Sequence, residues 1–381
     1  MRKFAYAVLM AAFVSSLLGC SSGEDPYVYR YGESEMYEKF WDSEVIHNET
    51  ICLIEDDTGV ASGSLFYEPD KIISVRDYTL KNEYVEGTDY SVSGNKIVRL
   101  DGSSMPYFTE ANVKGEDLPE DYGLSTYNAK EGKIVFTEGA GIVMHQIAVT
   151  YSHKDSWSYD VPKYLGGNLP NTEKALKEGG DLQIVFYGDS IMTGCNASAK
   201  LGIEPFQDIY PDAVTSLLKE RHPNTNITMV NTSYGGWMSK DGVTNIDNCV
   251  NAYEPDLVFL GFGMNDGSNG VQTIDYVDNM EFMIKSIRAR KPTAEVVVVS
   301  TILANPDSIQ NAGQEDYLPD LKTMVDGFGL GVALLDMTTY SKAFNERKRS
   351  LDIYANNINH PSDFLARQYV TNILTALDED F

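Results

Sequence analysis

The strongest constraint on the fold lies in residues 182–377, where short apolar runs alternate with stretches of helical period. "LQIVFY", "ITMVN", "DLVFLGF", "EVVVVST" and "VALLDM" read as strands, with apolar residues at nearly every position. Between them, "QDIYPDAVTSLLKERH" carries Ile209, Ala213, Val214, Leu217 and Leu218 at helical spacing. "YVDNMEFMIKSIRAR" does the same with Val277, Met280, Ile284 and Ile287. "YLPDLKTMVDGFG" and the closing "PSDFLARQYVTNILTAL" also read as helices. Strands that alternate with helices predict a parallel sheet covered on both faces, since parallel neighbours need a crossover. Ligands of such sheets sit beyond the carboxyl ends of the strands. The residues that end each strand are therefore where chemistry is to be sought.

Those ends carry specific residues. The first strand stops at Gly188-Asp189-Ser190, the second runs into "VNTSYGGW", and the third into "GFGMND". "NNINHP" stands just before the last helix. Taken together, in this order, the four stretches resemble the motif blocks of the SGNH, or GDSL-like, hydrolase superfamily. That resemblance covers about residues 180–381. It implies a three-layer αβα, flavodoxin-like domain, and it carries the family's four residues onto Ser190, Gly236, Asn265 and His360. Gly236 is chosen because the family's second block places its glycine five residues after an asparagine, here Asn231.

The chemistry of these residue types agrees. Acyl transfer needs a nucleophile, a base for its proton, and donors for the developing oxyanion. Ser190 supplies the hydroxyl, and His360 is the only histidine near a strand-end motif and the natural base. The Ser190 and Gly236 N–H groups and the Asn265 amide would form the oxyanion hole. The rival serine-hydrolase signature G-x-S-x-G is absent, because position 192 is Met.

One position departs from the family. An aspartate usually stands three residues before the histidine and orients its ring, but here that residue is Asn357. The expectation is a Ser–His dyad helped by Asn357 or a backbone carbonyl, with Asp352 or Asp363 as carboxylates that would substitute. Asp189 and Asp266 read as braces for nearby backbone N–H groups, and Cys195 as a small packed residue. Trp237 reads equally as a sugar-stacking ring that lines the substrate site and as core.

Residues 34–160 read differently. "ASGSLFYEP", "KIISVRDYTL", "TDYSVSGNKIVRL", "GKIVFTEG" and "HQIAVTYSH" are short runs rich in Val, Ile, Tyr and Thr, punctuated by Gly, Asp, Asn and Pro. They predict a β-sandwich, jelly-roll-like in kind, without a long amphipathic helix. The expected organisation is therefore a β-sandwich over 34–160 and the SGNH domain over 161–381, joined by the Gly/Pro-rich "DVPKYLGGNLPN". Tyrosines are plentiful in the first part (Tyr67, Tyr78, Tyr84, Tyr90), and their frequency fits ordinary strand propensity better than a binding face.

Residues 1–20 read as a targeting segment: "MRK", an apolar stretch too short for a convincing span, then "LLGC". The segment resembles a bacterial lipoprotein signal with Cys20 as the lipidated residue, followed by a linker over 21–33. "SSGEDP" is similar to the export signals of surface lipoproteins in Bacteroides-like bacteria. The expected location is the cell envelope, at the outer membrane. The other cysteines, Cys52, Cys195 and Cys249, form no disulfide framework, and no spacing of His or Cys suggests a metal; no cofactor is expected.

Across 381 residues the formal net charge is −26, which disfavours nucleic acid and other polyanions as partners and does not penalise a neutral glycan. A lipoprotein with a β-sandwich before an SGNH domain resembles the two-domain carbohydrate esterases. It implies removal of O-acetyl groups from a neutral poly- or oligosaccharide. Two other readings stay open: a catalytically weak glycan-binding lipoprotein, and a lipase or thioesterase of the same superfamily.

Overall fold

The computed structural model describes residues 34–381. The targeting segment, Cys20 and the linker lie outside the described residues.

The five expected strands form one all-parallel sheet: β11 (Gly180–Gly188), β12 (Thr225–Asn231), β13 (Leu257–Gly261), β14 (Glu295–Val299) and β15 (Val332–Leu335), in the order β12-β11-β13-β14-β15. The ten strands that precede them in the chain are given below. Counted within the sheet this is 2-1-3-4-5, the flavodoxin-like order, whose crossover reverses between its first and third strands. β11 and β13 are those strands, so both of their C-terminal ends open onto the switch point.

The helices Tyr210–Arg221, Thr273–Arg290, Leu318–Phe328 and Asp363–Leu377 match the periodic stretches. Their buried stripes include Ala213, Val214, Leu217 and Leu218 on the first and Met280, Ile284 and Ile287 on the second. Three further helices, Pro170–Glu178, Ser239–Cys249 and Met337–Arg347, were not expected from periodicity. In Ser239–Cys249 the apolar residues are sparse, with only Ser239, Gly242 and Ile246 buried.

The N-terminal part is mostly sheet, as expected. Its strands are β1 (Val45–Cys52), β2 (Ile54–Glu55), β3 (Ala61–Ser64), β4 (Pro69–Asp77), β5 (Tyr90–Ser93), β6 (Lys96–Arg99), β7 (Phe108–Thr109), β8 (Ser125–Asn128), β9 (Lys133–Phe136) and β10 (Gln146–His153). β1-β10-β4 form an antiparallel sheet, β5-β6-β3-β2-β7 a second sheet, and β8-β9 a hairpin.

This part does not stand apart from the parallel-sheet domain. Phe40 packs on Phe66 at 5.0 Å from the N-terminal side, and on Phe344 at 5.2 Å and Phe364 at 5.7 Å from the C-terminal side. Beside this apolar seam lies an ion pair with both side chains fully buried: Lys348 Nζ sits 2.5 Å from Glu49 Oε1. Tyr151 Oη and the Phe66 N–H donate to the same carboxylate. The two halves are thus joined by a shared core.

Candidate active site

Ser190 stands on the turn that leaves β11, and a close backbone approach sets that turn. Gly188 pairs with Gly261 across the sheet, and a Cβ on Gly188 would fall 2.1 Å from the Gly261 carbonyl oxygen. Only glycine fits there. Asp189 is buried and its Oδ1 accepts from the Ile191 N–H at 3.0 Å, which makes it the expected brace. Burial pushes its carboxyl up to about 7. Asp266 likewise accepts from the Ser239 N–H and Oγ, capping the helix that starts there.

His360 arrives on a loop shaped by Asn356, whose Oδ1 accepts from the N–H groups of Ile358, Asn359 and His360. This local side-chain turn points the imidazole at the end of β11. His360 Nε2 lies 3.0 Å from Ser190 Oγ, and both residues are buried. Burial pushes the imidazole from its ordinary 6.5 down to about 4, which keeps it neutral and able to accept the serine proton.

The expected role of Asn357 is corrected by the geometry. Its Nδ2 donates to the Val135 carbonyl in β9 at 2.8 Å, and its Oδ1 accepts from Asn305, so neither reaches the ring. Position 357 has φ +62°, a left-handed backbone that turns its side chain toward the N-terminal hairpin. Asp352 is committed to the Cys52 and Arg349 N–H groups, and Asp363 to the Ser198 N–H. Neither carboxylate substitutes.

The ring's Nδ1 partner is Asn196, whose Oδ1 lies 2.6 Å away. Asn196 Nδ2 faces two carbonyls, Glu138 O and Gly139 O, each at 3.2 Å. Two acceptors on one side fix which end of the amide is nitrogen, so the oxygen must face His360. The imidazole then carries its proton on Nδ1 and leaves Nε2 free as a base. Asn196 was missed in the sequence; the one cue there, an Asn in a Gly-containing loop, fits its left-handed φ of +64° but says nothing of function.

The remaining residues converge as expected. Gly236 sits at φ +80°, and the neighbouring Gly235 lies against Ser190. Asn231 Nδ2 donates to Met192 O and ties this loop to the serine turn. Asn265 Nδ2 spends one N–H on Trp237 O at 2.9 Å, which aims the amide and leaves its second N–H for the cleft. The Ser190 and Gly236 N–H groups donate to no acceptor among the described residues. Three unspent donors therefore belong to residues that line one cleft with the serine, the supply an oxyanion needs.

These residues line a cleft of about 310 Å³, in which Cys195 also lies. Trp237 does not line it: its ring packs edge-on to Tyr187 and beneath Tyr234, because its carbonyl and not its indole faces Asn265. The tyrosines singled out earlier are elsewhere, with Tyr67 and Tyr90 in the core. The far wall of the cleft comes instead from the β8-β9 hairpin, through Tyr127, Phe136 and Glu138.

Residues 186–365 match the GDSL-like Lipase/Acylhydrolase family. The parallel-sheet domain is a GDSL-like acylhydrolase domain. Among curated proteins none matches. Among solved structures, the chain is similar to a two-domain esterase (CEX) active on acetylated mannans, at 20% identity and a TM-score of 0.46, over 57% of this chain and 54% of that one. This chain thus spans about half the length of that esterase. It is also similar to an acetylxylan esterase from Geobacillus stearothermophilus, solved as a catalytic mutant (19% identity, TM-score 0.41, 50% of this chain and 94% of that one). A lipase/acylhydrolase from Enterococcus faecalis is similar too (18%, 0.41, 51% and 93%). The GDSL-like match begins within β11 and ends in the last helix.

Proposed function

We propose that the protein is a serine esterase that removes short acyl groups, O-acetyl above all, from a neutral carbohydrate. The observation that carries this reading is the relay Ser190 Oγ, His360 Nε2, His360 Nδ1, Asn196 Oδ1, at 3.0 and 2.6 Å. Ser190 attacks the ester carbonyl as Nε2 takes its proton. The tetrahedral oxyanion is held by the Ser190 and Gly236 N–H groups and the Asn265 amide. His360 then returns the proton to the departing sugar oxygen, and water repeats the sequence on the acyl-enzyme.

A site in decay, serving only to bind glycan, is disfavoured by the intact relay and the unspent oxyanion donors. A long-chain lipase is disfavoured by the cleft, where Glu138, Asn265, Gln310, Asn356 and Asn359 share the lining with its apolar residues Phe136, Ile358 and Tyr127. Cys20 is proposed as a lipid anchor that holds the enzyme at the outer membrane, on the strength of "LLGC" alone.

The test is hydrolysis of p-nitrophenyl acetate against butyrate and octanoate esters, with Ser190→Ala as control. Acetate preference abolished by the substitution supports the reading. Equal rates for variant and wild type overturn catalysis at Ser190, and preference for octanoate overturns the short-acyl assignment. Acetylated mannan and acetylated xylan are the first polymers to try.

A further inference from the structure

The cleft over Ser190 is completed by the N-terminal half of the chain. The β8-β9 hairpin leans on residues 305–311: the Lys130 N–H donates to Asp307 O at 2.7 Å, the Ile309 N–H donates to Asn128 O at 3.3 Å, and Gln310 meets Tyr127 Oη. Just past β9 the main chain of Glu138 and Gly139 is held against Asn196. The Glu138 backbone is therefore fixed, and the residue, which is exposed, stands on the lining of the cleft that holds Ser190 and His360.

Glu138 is the one carboxylate on the lining, and no Lys or Arg lines the cleft. Its carboxylate has no hydrogen bond or ion pair among the described residues. Partial burial raises its pKa, and no nearby cation offsets the rise. A carboxylate without an internal partner has spare acceptor capacity on both oxygens. In a cleft of about 310 Å³ any bound sugar lies close to it.

We propose that Glu138 is a specificity-determining residue, which accepts hydrogen bonds from hydroxyls of a neutral acylated sugar and rejects sugars that carry a carboxylate. The proposal rests on the esterase reading above and adds the substrate's charge class to it. It is a local effect, separate from the overall charge of −26, which repels anions at long range whatever stands at position 138. Two like charges about 8 Å apart at an effective dielectric of about 40 to 80 lower binding roughly two- to six-fold.

The experiment compares kcat/KM for two matched esters, a mono-acetylated methyl glucoside and the corresponding mono-acetylated methyl glucuronide, in wild type, Glu138→Gln and Glu138→Lys. The glutamine keeps the size and one acceptor oxygen, exchanges the other for a donor, and removes the charge. The ratio of the two kcat/KM values does not depend on the fraction of protein that is folded. The neutral-to-anionic ratio is expected to fall about two- to six-fold in the glutamine variant and further in the lysine variant. In wild type it should fall in 0.5 M salt, and by more than in the glutamine variant, where only the long-range repulsion of the −26 charge is left to screen. An unchanged ratio in both variants overturns the assignment. If wild type hydrolyses neither ester nor p-nitrophenyl acetate, the esterase reading itself fails. If it hydrolyses p-nitrophenyl acetate and the ratio ignores position 138, only the Glu138 proposal fails.

Discussion

His360 Nδ1 and Asn196 Oδ1 lie 2.6 Å apart, and the other end of the Asn196 amide is gripped by two carbonyls of the N-terminal half. An amide meets both demands at once, accepting on one side and donating on the other. A carboxylate would meet the first and set an oxygen against two oxygens on the second. Asn196→Ala is expected to cost about one hydrogen bond of ring orientation, roughly ten-fold in kcat. Asn196→Asp is expected to lower the melting temperature and to move the acid limb of kcat/KM upward, because a negative charge at Nδ1 favours the imidazolium. Thermal melts and a pH-rate profile of the two variants check this.

Asn357 gives the contrasting case. It stands where the family keeps its aspartate, yet it braces the His360 loop against Val135 and Asn305 and touches no ring atom. Asn357→Ala should lose about 1–3 kcal/mol of stability, from a buried hydrogen-bonded amide and from strain at φ +62°. Its acid limb should stay where it is in wild type. A shifted limb with an unchanged melting temperature would reverse the assignments of Asn196 and Asn357.

Why the sequence led to Asn357 and not to Asn196 has a physical answer. Strand runs, helical stripes and the residues that end β11 and β13 are local features, so the parallel sheet was legible from spacing, and Ser190 and Asn265 from the family's motif blocks that stand at those ends. The partner of His360 Nδ1 depends on a contact between residues 164 positions apart, supported by the end of a hairpin from the other half of the chain. No local pattern encodes that. The same holds for Glu138 and Tyr127, which enter the cleft only because β8-β9 packs beside residues 305–311. Trp237 shows the converse limit: a position beside Gly236 does not say which way a ring points.

The burial of His360 makes a pH prediction whose sign can be worked out. Its folded pKa is about 4 and its ordinary value 6.5, so between these the unfolded chain binds a proton that the native protein lacks. Its contribution makes stability fall as pH drops through that window. Asp189 works the other way, since its carboxyl is raised from 3.8 to about 7 and the native state holds the extra proton. The two slopes oppose each other, so activity is the clearer readout. The acid limb of kcat/KM should lie well below 6.5, near 4 to 5, in protein shown by circular dichroism to remain folded. A limb at 6.5 or above would mean that the free enzyme's base is not this buried imidazole.

The Lys348–Glu49 pair tests whether the two halves of the chain act as one structure. Both side chains are fully buried, and Lys348 also donates to the Ser64 carbonyl at 2.7 Å and stands 3.8 Å from Asp352. Desolvation offsets much of the attraction in such a pair, so its net contribution is small, but removing one partner strands the other charge. Lys348→Met is therefore expected to destabilise the protein by about 3–5 kcal/mol. Combining it with Glu49→Gln, whose amide oxygen still accepts from the Phe66 N–H and whose Nε2 donates to the Tyr151 hydroxyl oxygen, removes the stranded charge and should recover part of that loss. Chemical denaturation of the wild type, the two single variants and the double variant gives the coupling energy directly. Because Phe40, Phe66, Phe344 and Phe364 form one apolar cluster across the same seam, the transition should remain a single step in wild type. Two separate transitions, with the N-terminal sheets melting before the acylhydrolase domain, would show that the seam does not couple the halves. Asn196 would then lose its two carbonyl partners while the parallel sheet was still folded.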